Sequence, residues 1–283
     1  MKQIAVISGK GGTGKTSLVA SFAALAGEKA VLVDSDVDAA NLSLVTGSEI
    51  FEEHEFRASK VAVIDQQKCN ECDLCRELCR FDAIESSYEV DPISCEGCGF
   101  CSYICPVRAI AMMEKRSGSW FVSKTACGLL VHARLGIAEE NSGKLVSKIR
   151  ERGRELAESE KLEYVIIDGP PGIGCPVIAS LSGVDQALIV TEPTVSGVHD
   201  LKRVFDVCRH FDIPASVCIN RYDLSEIQSN IIEEYCFGQG IPLAGKIPLD
   251  RAFVDAQVAG MPVVRFAGGQ LLERISLIWD QVK

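Results

Sequence analysis

Residues 3–17 read QIAVISGKGGTGKTS, and this stretch decides the fold. Gln3–Ser8 is a short apolar, β-branched run ending in glycines, the pattern of a strand buried in a parallel sheet. Gly9, Gly12 and Gly14 permit tight turns, so backbone N–H groups of the segment Gly9, Lys10, Gly11, Gly12, Thr13 and Gly14 can wrap phosphate oxygens. Thr16–Ala26, rich in Ala and Leu and opening with Thr16 and Ser17, supplies a helix whose N-terminus adds a positive dipole. In such a phosphate loop Lys15 is expected to reach the β- and γ-phosphates, and Thr16 to ligate Mg2+.

Working outward, further buried strands are expected at Ala30–Val33, Tyr164–Ile167, Gln186–Val190, Ser216–Ile219 and Leu243–Ile247, with helices at about 143–156 and 197–211. The alternation implies an α/β fold with a doubly wound, mainly parallel sheet. A sheet of that kind places its chemistry at the carboxyl ends of the strands. Acids stand at those ends: Asp34, Asp36 and Asp38 after the second strand, and Asp168 before Gly169-Pro170-Pro171-Gly172.

The stretch 57–118 breaks this pattern. Cys69, Cys72, Cys75 and Cys79 form a C-x2-C-x2-C-x3-C run, and Cys95, Cys98, Cys101 and Cys105 form a second, followed by Pro106. That spacing is the signature of a bacterial-type ferredoxin holding two [4Fe–4S] clusters, in which the fourth ligand of each comes from the other run. One cluster is therefore expected on Cys69, Cys72, Cys75 and Cys105, the other on Cys95, Cys98, Cys101 and Cys79. Equivalent cysteines lie 26 residues apart, and Ala83-Ile84 and Ala109-Ile110 repeat at the same offset, so the segment is an internal duplication. Zinc is the competing reading, but structural zinc sites separate their cysteine pairs by longer spacers. Arg80 stands where proline is usual after the first run. The expected organisation is a P-loop ATPase domain at 1–56 and 119–283, interrupted by an α+β ferredoxin-like insert at 57–118.

Composition narrows the function classes. The chain has 283 residues, 47% of them hydrophobic, enough for one large domain plus an insert. A net charge of −10 argues against non-specific nucleic-acid binding. The excess is concentrated between Cys69 and Cys105, where eight acids face two bases, which reads either as a solvated acidic face or as a docking surface for a basic redox partner. The N-terminus runs straight into the phosphate loop without a signal peptide, and no apolar run reaches 18 residues, so no stable membrane insertion is expected. Thirteen cysteines with this spacing point to a reducing, cytoplasmic setting and metal binding. Cys208, Cys218 and Cys236 read as core residues, and the amphipathic stretch Leu271–Val282 as a packed terminal helix.

GKGGTGKT, with Lys10 early in the loop, resembles the deviant Walker A motif of the MinD/ParA superfamily, which includes the nitrogenase iron protein and Mrp-type cluster carriers. In that superfamily the early lysine crosses a dimer interface to the partner's nucleotide, so the resemblance implies catalytic roles for Lys10 and Lys15 in an ATP-sandwiched homodimer. It further implies that Asp36 orients the attacking water and that Asp168, with Asp34 close by, holds Mg2+. Asn220 resembles the adenine-contacting asparagine, and Pro248-Leu249-Asp250 the loop that closes over the base. With Gly128–Leu135 and Glu139–Lys144, the motifs resemble the branch of MinD-type ATPases that carries a ferredoxin insert, including those of the orange-protein complex of anaerobes. His132 and Arg134 are candidates for a groove, for capping or for surface pairing. No C-x2-C pair lies outside the insert, so the dimer-bridging cluster of Mrp-type carriers lacks its ligands unless Cys127 and Cys175 converge. The expected function is an ATPase that couples nucleotide-driven changes to electron transfer through two [4Fe–4S] clusters to a protein partner. The alternatives are an assembly or carrier ATPase delivering iron–sulfur or metal cofactors to an acceptor protein, and a positioning module whose clusters only shape a docking surface.

Overall fold

The computed structural model describes residues 1–137, 139 and 142–283; Glu140 and Asn141 of the Glu139–Lys144 motif lie outside the described residues. In chain order the elements are β1 (Lys2–Ser8), α1 (Lys15–Ala26), β2 (Ala30–Asp34), α2 (Leu42–Thr46), β3 (Glu49–Ile64), α3 (Leu74–Glu77), α4 (Phe100–Ile104), β4 (Ile110–Thr125), β5 (Gly128–Leu135), α5 (Ser142–Ser159) and β6 (Tyr164–Pro171). They continue with α6 (Cys175–Leu181), β7 (Gln186–Thr191), α7 (Val195–His210), β8 (Ala215–Asn220), α8 (Glu226–Gln239), β9 (Leu243–Ile247), α9 (Ala252–Val258), α10 (Val263–Phe266) and α11 (Gly269–Val282). The sheet has nine strands in the order β3-β4-β5-β2-β6-β1-β7-β8-β9. Strands β5 to β9 of this order pair in parallel, from β5–β2 through β8–β9.

The chain divides into two compact units: Met1–Glu53 with Trp120–Arg134 and Ser142–Lys283, and His54–Ser119 with Leu135–Asn141. The interruption thus runs about three residues further towards the N-terminus than 57–118, because β3 is one strand from Glu49 to Ile64, and a return segment after β5 joins it.

In the first unit, β2 is buried at every position and β1 from Ile4 onward, as strands covered on both faces must be. Helix α1 buries Leu18, Val19, Ala20, Phe22 and Ala23 against them. Its apolar character all round follows from that central position. Gly27 closes α1 with a positive φ of 64° and an N–H donated to the Ala23 carbonyl. Helix α11 presents Leu271, Ile275, Ile278, Trp279 and Val282 to the same core, at helical spacing. Trp279 packs 5.3 Å from Phe22 and 5.2 Å from Tyr164, so the terminal amphipathic helix buries its apolar face in the protein. Among the described residues no helix is long and apolar enough to cross a membrane.

The second unit carries the 26-residue repeat into its backbone. Glu71, Asp73 and Asp82 have φ of 55°, 61° and 48°, and their counterparts Gly97, Gly99 and Arg108 have 64°, 76° and 51°. Asp65 accepts the Gln67 N–H through its side chain and the Cys69 N–H through its carbonyl; Asp91 does the same for Ile93 and Cys95. Each cysteine run is thus entered through the same aspartate turn. Ala62, Ile64, Cys75, Ile84 and Ile110 form its buried cluster, and Cys69, Cys79, Cys95, Cys101 and Cys105 pack around it.

Candidate functional site

In the first unit a cavity of about 690 Å³ opens at the carboxyl ends of the strands, lined by Gly11, Gly12, Gly14, Lys15, Thr16 and Ser17 of the phosphate loop. Asp36 and Asp38 line it after β2; Asn220, Arg221, Pro248, Leu249 and Asp250 line its other wall. Gly9, Lys10 and Thr13 are not part of this lining. At Gly9 a Cβ would come within 2.3 Å of the Asp200 Cβ, so the loop's first glycine is required for close packing. Gly14 has φ +90°, and a Cβ there would meet Asn220 Nδ2 at 2.4 Å.

The acids sit in a row. Asp34 and Asp168 are register partners across β2 and β6. Both are fully buried and carry raised pKa values. Desolvation pushes Asp168 to about 6 against the pull of the Lys15 ammonium and the Thr16 hydroxyl. Asp34 is pushed well above the carboxylate range by burial and by the Asp168 charge, although Leu42 and Asp36 donate their N–H groups to it. Asp168 Oδ1 is buried without a hydrogen-bond partner. An orphaned carboxylate oxygen beside Lys15 and Thr16 could take a cation as its partner. Asp36 is half-buried, and desolvation raises its pKa while Lys15 opposes the rise.

Asn220 has a task that its sequence position does not reveal. Its amide donates to the Thr13 carbonyl at 2.8 Å, and its side-chain oxygen accepts the Arg221 N–H at 3.0 Å. Arg221 adopts φ 55° to make that bond. Asn220, expected to contact adenine, lines the nucleotide cavity and also clamps the phosphate loop. Asp250 accepts the Ala252 N–H at the start of α9, and Asp223 accepts the Leu249 N–H, so the 248–250 loop is held at both ends. Lys10, expected at a dimer seam, lies 3.3 Å from Glu192 and 3.4 Å from Thr194 of its own chain. Glu192 and Arg221 escaped the sequence reading. The available signal was a charged residue directly after the buried strand β7, at the edge where such sheets bind ligands.

In the second unit one small cavity is lined by Cys69, Cys72, Cys75 and Cys105. A larger one, of about 380 Å³, is lined by Cys79, Cys95, Cys98 and Cys101, with Cys75 between them. Each cavity thus combines three cysteines of one run with the last cysteine of the other, and Cys75 lines both. The Glu71 N–H points to Cys69 Sγ at 3.4 Å and the Ala109 N–H to Cys105 Sγ at 3.2 Å. Among the described residues no group of three or more His, Cys, Asp or Glu is arranged around a single ion. A cubane, by contrast, takes each thiolate on a different iron.

The remaining cysteines separate by burial: Cys127, Cys208, Cys218 and Cys236 are buried, and Cys175 is exposed at the start of α6. Burial pushes the Cys208 and Cys218 thiols up to about 12, as inert core groups require. His132 is no surface group. It is buried on β5, stacked on Phe121 at 5.1 Å and hydrogen-bonded to Ser123 at 2.9 Å, and desolvation lowers its pKa to about 4. Arg134 approaches the Phe121 ring at 6.0 Å.

A parallel sheet with a glycine loop, a buried aspartate pair and a cavity at the strand ends defines a P-loop nucleotide-binding protein. The model of the CobQ/CobB/MinD/ParA nucleotide binding domain matches residues 4–263, and the chain belongs to that family. It is similar to an uncharacterized protein of Methanocaldococcus jannaschii, with 36% identity over 228 residues and 80% of each chain covered. A septum site-determining protein MinD of Synechocystis is 27% identical over 268 residues, covering 92% of this chain and 81% of that one. Among solved structures, MinD of Pyrococcus horikoshii complexed with Mg-ADP matches at 19% identity with a TM-score of 0.59, covering 100% of this chain and 96% of that one. The fold is therefore shared with MinD.

Proposed function

We propose that this protein is a Mg2+-dependent ATPase that associates as a homodimer on ATP and controls electron transfer through two [4Fe–4S] clusters to a protein partner. One observation carries the reading: two cavities lined by cysteines drawn from both runs, four in one and five in the other with Cys75 shared, in the same chain as a nucleotide cavity. The donor sets fit the clusters, being all thiol and crossed between the runs as in two-cluster ferredoxins. Cys69, Cys72, Cys75 and Cys105 would hold one, and Cys79, Cys95, Cys98 and Cys101 the other. Bound there, the clusters would supply one-electron carriers. The protein's own part would be to donate N–H groups to the Cys69 and Cys105 sulfurs.

At the nucleotide site, Lys15 would neutralise the β- and γ-phosphate charge, and Thr16, Asp34 and Asp168 would hold Mg2+. Asp36, whose burial makes it a stronger base than an ordinary carboxylate, would orient the attacking water and take its proton. The MinD similarity supports the homodimer, with Lys10 as the residue that reaches a second nucleotide.

The test is made on anaerobically reconstituted full-length protein. It should bind about eight irons per chain with cubane spectra, and Mg-ATP should change cluster midpoint potentials or the rate of reducing an acceptor protein. Full clusters whose potentials and rates ignore nucleotide would sink the coupling. Rapid ATP-linked passage of labelled iron to an apo-acceptor would instead identify a cofactor-assembly carrier.

A further inference from the structure

Glu192 follows β7 directly and is 7% exposed, yet it carries two cations. Its Oε2 lies 3.3 Å from Lys10 Nζ, and its Oε1 accepts from the Arg221 guanidinium. Arg221 passes the contact on through its N–H to Asn220, and Asn220 returns it to the Thr13 carbonyl. Lys10, Glu192, Arg221, Asn220 and Thr13 therefore form a closed polar ring that begins and ends on the phosphate loop. Lys10 is held at the end of β7, with Thr194 as its second partner, and stays outside the lining of the nucleotide cavity.

We propose that Glu192 is a positioning residue that parks Lys10 within its own chain and thereby opposes nucleotide-dependent self-association. The inference rests on the homodimer reading above and adds its regulation. A lysine that serves the nucleotide of a second copy must first leave Glu192. The ring makes that exchange feasible, because Arg221 remains on the carboxylate and no buried charge is left unpaired. The parked state thus resists association without trapping it.

Glu192→Gln keeps the shape and removes the charge. Two readouts on the full chain follow. In the nucleotide-free protein, acetylation of Lys10 by an amine reagent, read by mass spectrometry, should speed about fivefold, the scale of a part-exposed ion pair, while Lys202 is unaffected. The concentration of a non-hydrolysed ATP analogue at half-association, measured by sedimentation, should fall about fivefold. Glu192→Asp, which restores the charge, should return both values toward wild type. Unchanged Lys10 labelling overturns the proposal. Faster labelling with an unchanged association midpoint overturns the inhibitory role. A wild-type chain that never associates overturns the homodimer reading, and with it the inhibition, even where faster labelling preserves the parking contact. If Glu192→Gln does not fold, a salt series on the wild type decides. Lys10 labelling that rises with ionic strength supports charge-held parking, and a flat profile overturns it.

Discussion

In the nucleotide-binding unit the loop rests on a core in which Ile4, Leu18, Phe22, Leu32, Ile166 and Leu188 are fully buried. In the cysteine unit the buried cluster is Ala62, Ile64, Cys75, Ile84 and Ile110, and further cysteines fill the space around it. The first unit is stabilised by its own side chains, and its cavity lies at the carboxyl ends of the strands. The second has a buried cluster of five residues, and it holds five non-glycine residues with left-handed backbone: Glu71, Asp73, Asp82, Tyr88 and Arg108. Such residues cost about 1–2 kcal/mol each and persist where the surroundings over-determine them. The difference teaches that the apolar core is concentrated in the nucleotide unit, whereas the buried cluster of the other is small and surrounded by cysteines.

The largest expected effect breaks the comparison outright. Stripping iron from the reconstituted chain with a chelator should expose the 54–119 segment to rapid proteolysis while ADP binding by the other unit persists. A protease-resistant segment after complete iron loss would mean that its small core suffices. In the opposite direction, Trp279→Ala should cost about 3–5 kcal/mol in the unfolding of the nucleotide unit, through the cavity left against Phe22 and Tyr164, with the cluster spectrum unchanged.

Asp168 sharpens the contrast between stability and function. Its folded pKa of about 6 exceeds the ordinary 3.8, so the fold binds more protons than the unfolded chain between those values. Stability contributed by this group is therefore present at low pH and lost as pH rises from about 4 to 6. Asp168→Asn should raise the unfolding free energy of the ligand-free protein by about 2–3 kcal/mol at pH 7 and abolish Mg2+-dependent hydrolysis. A destabilised Asn variant would refute the strain assigned to this carboxylate. His132 acts with opposite sign. Its folded pKa of about 4 lies below the ordinary 6.5, so stability is lost as pH falls through that window. His132→Gln should flatten the acid side of a pH–stability profile by about 1–2 kcal/mol at pH 5. The smallest effect lies within the repeat. Glu71→Gly, which copies Gly97 of the second half, should stabilise the cysteine unit by up to about 1 kcal/mol, read as a small rise in its melting temperature.

Much of the parallel sheet was legible because its strands are continuous apolar runs. The expected Leu243–Ile247 coincides with β9, and the other expected strands fall within β1, β2, β6, β7 and β8. β3, β4 and β5 were not legible. β3 is exposed or half-buried along most of its length, so its sequence EIFEEHEFRASKVAVI shows no sustained apolar run or alternation. The loop glycines, Lys15 and Thr16 were legible through local spacing, and the roles expected of Asp36 and Asp168 came from the resemblance to the MinD/ParA superfamily. Glu192 and Arg221 were not legible, since their meaning depends on β7 and β8 ending side by side.

By itself the sequence determined the phosphate loop and the two cysteine runs, because both are encoded within a few residues by turn chemistry and ligand spacing. Tertiary structure alone decided that Asn220 clamps the loop, that Lys10 faces Glu192, and that His132 is buried against Phe121. Each of those outcomes joins segments from different strands, and only the packing of the sheet brings them within bonding distance.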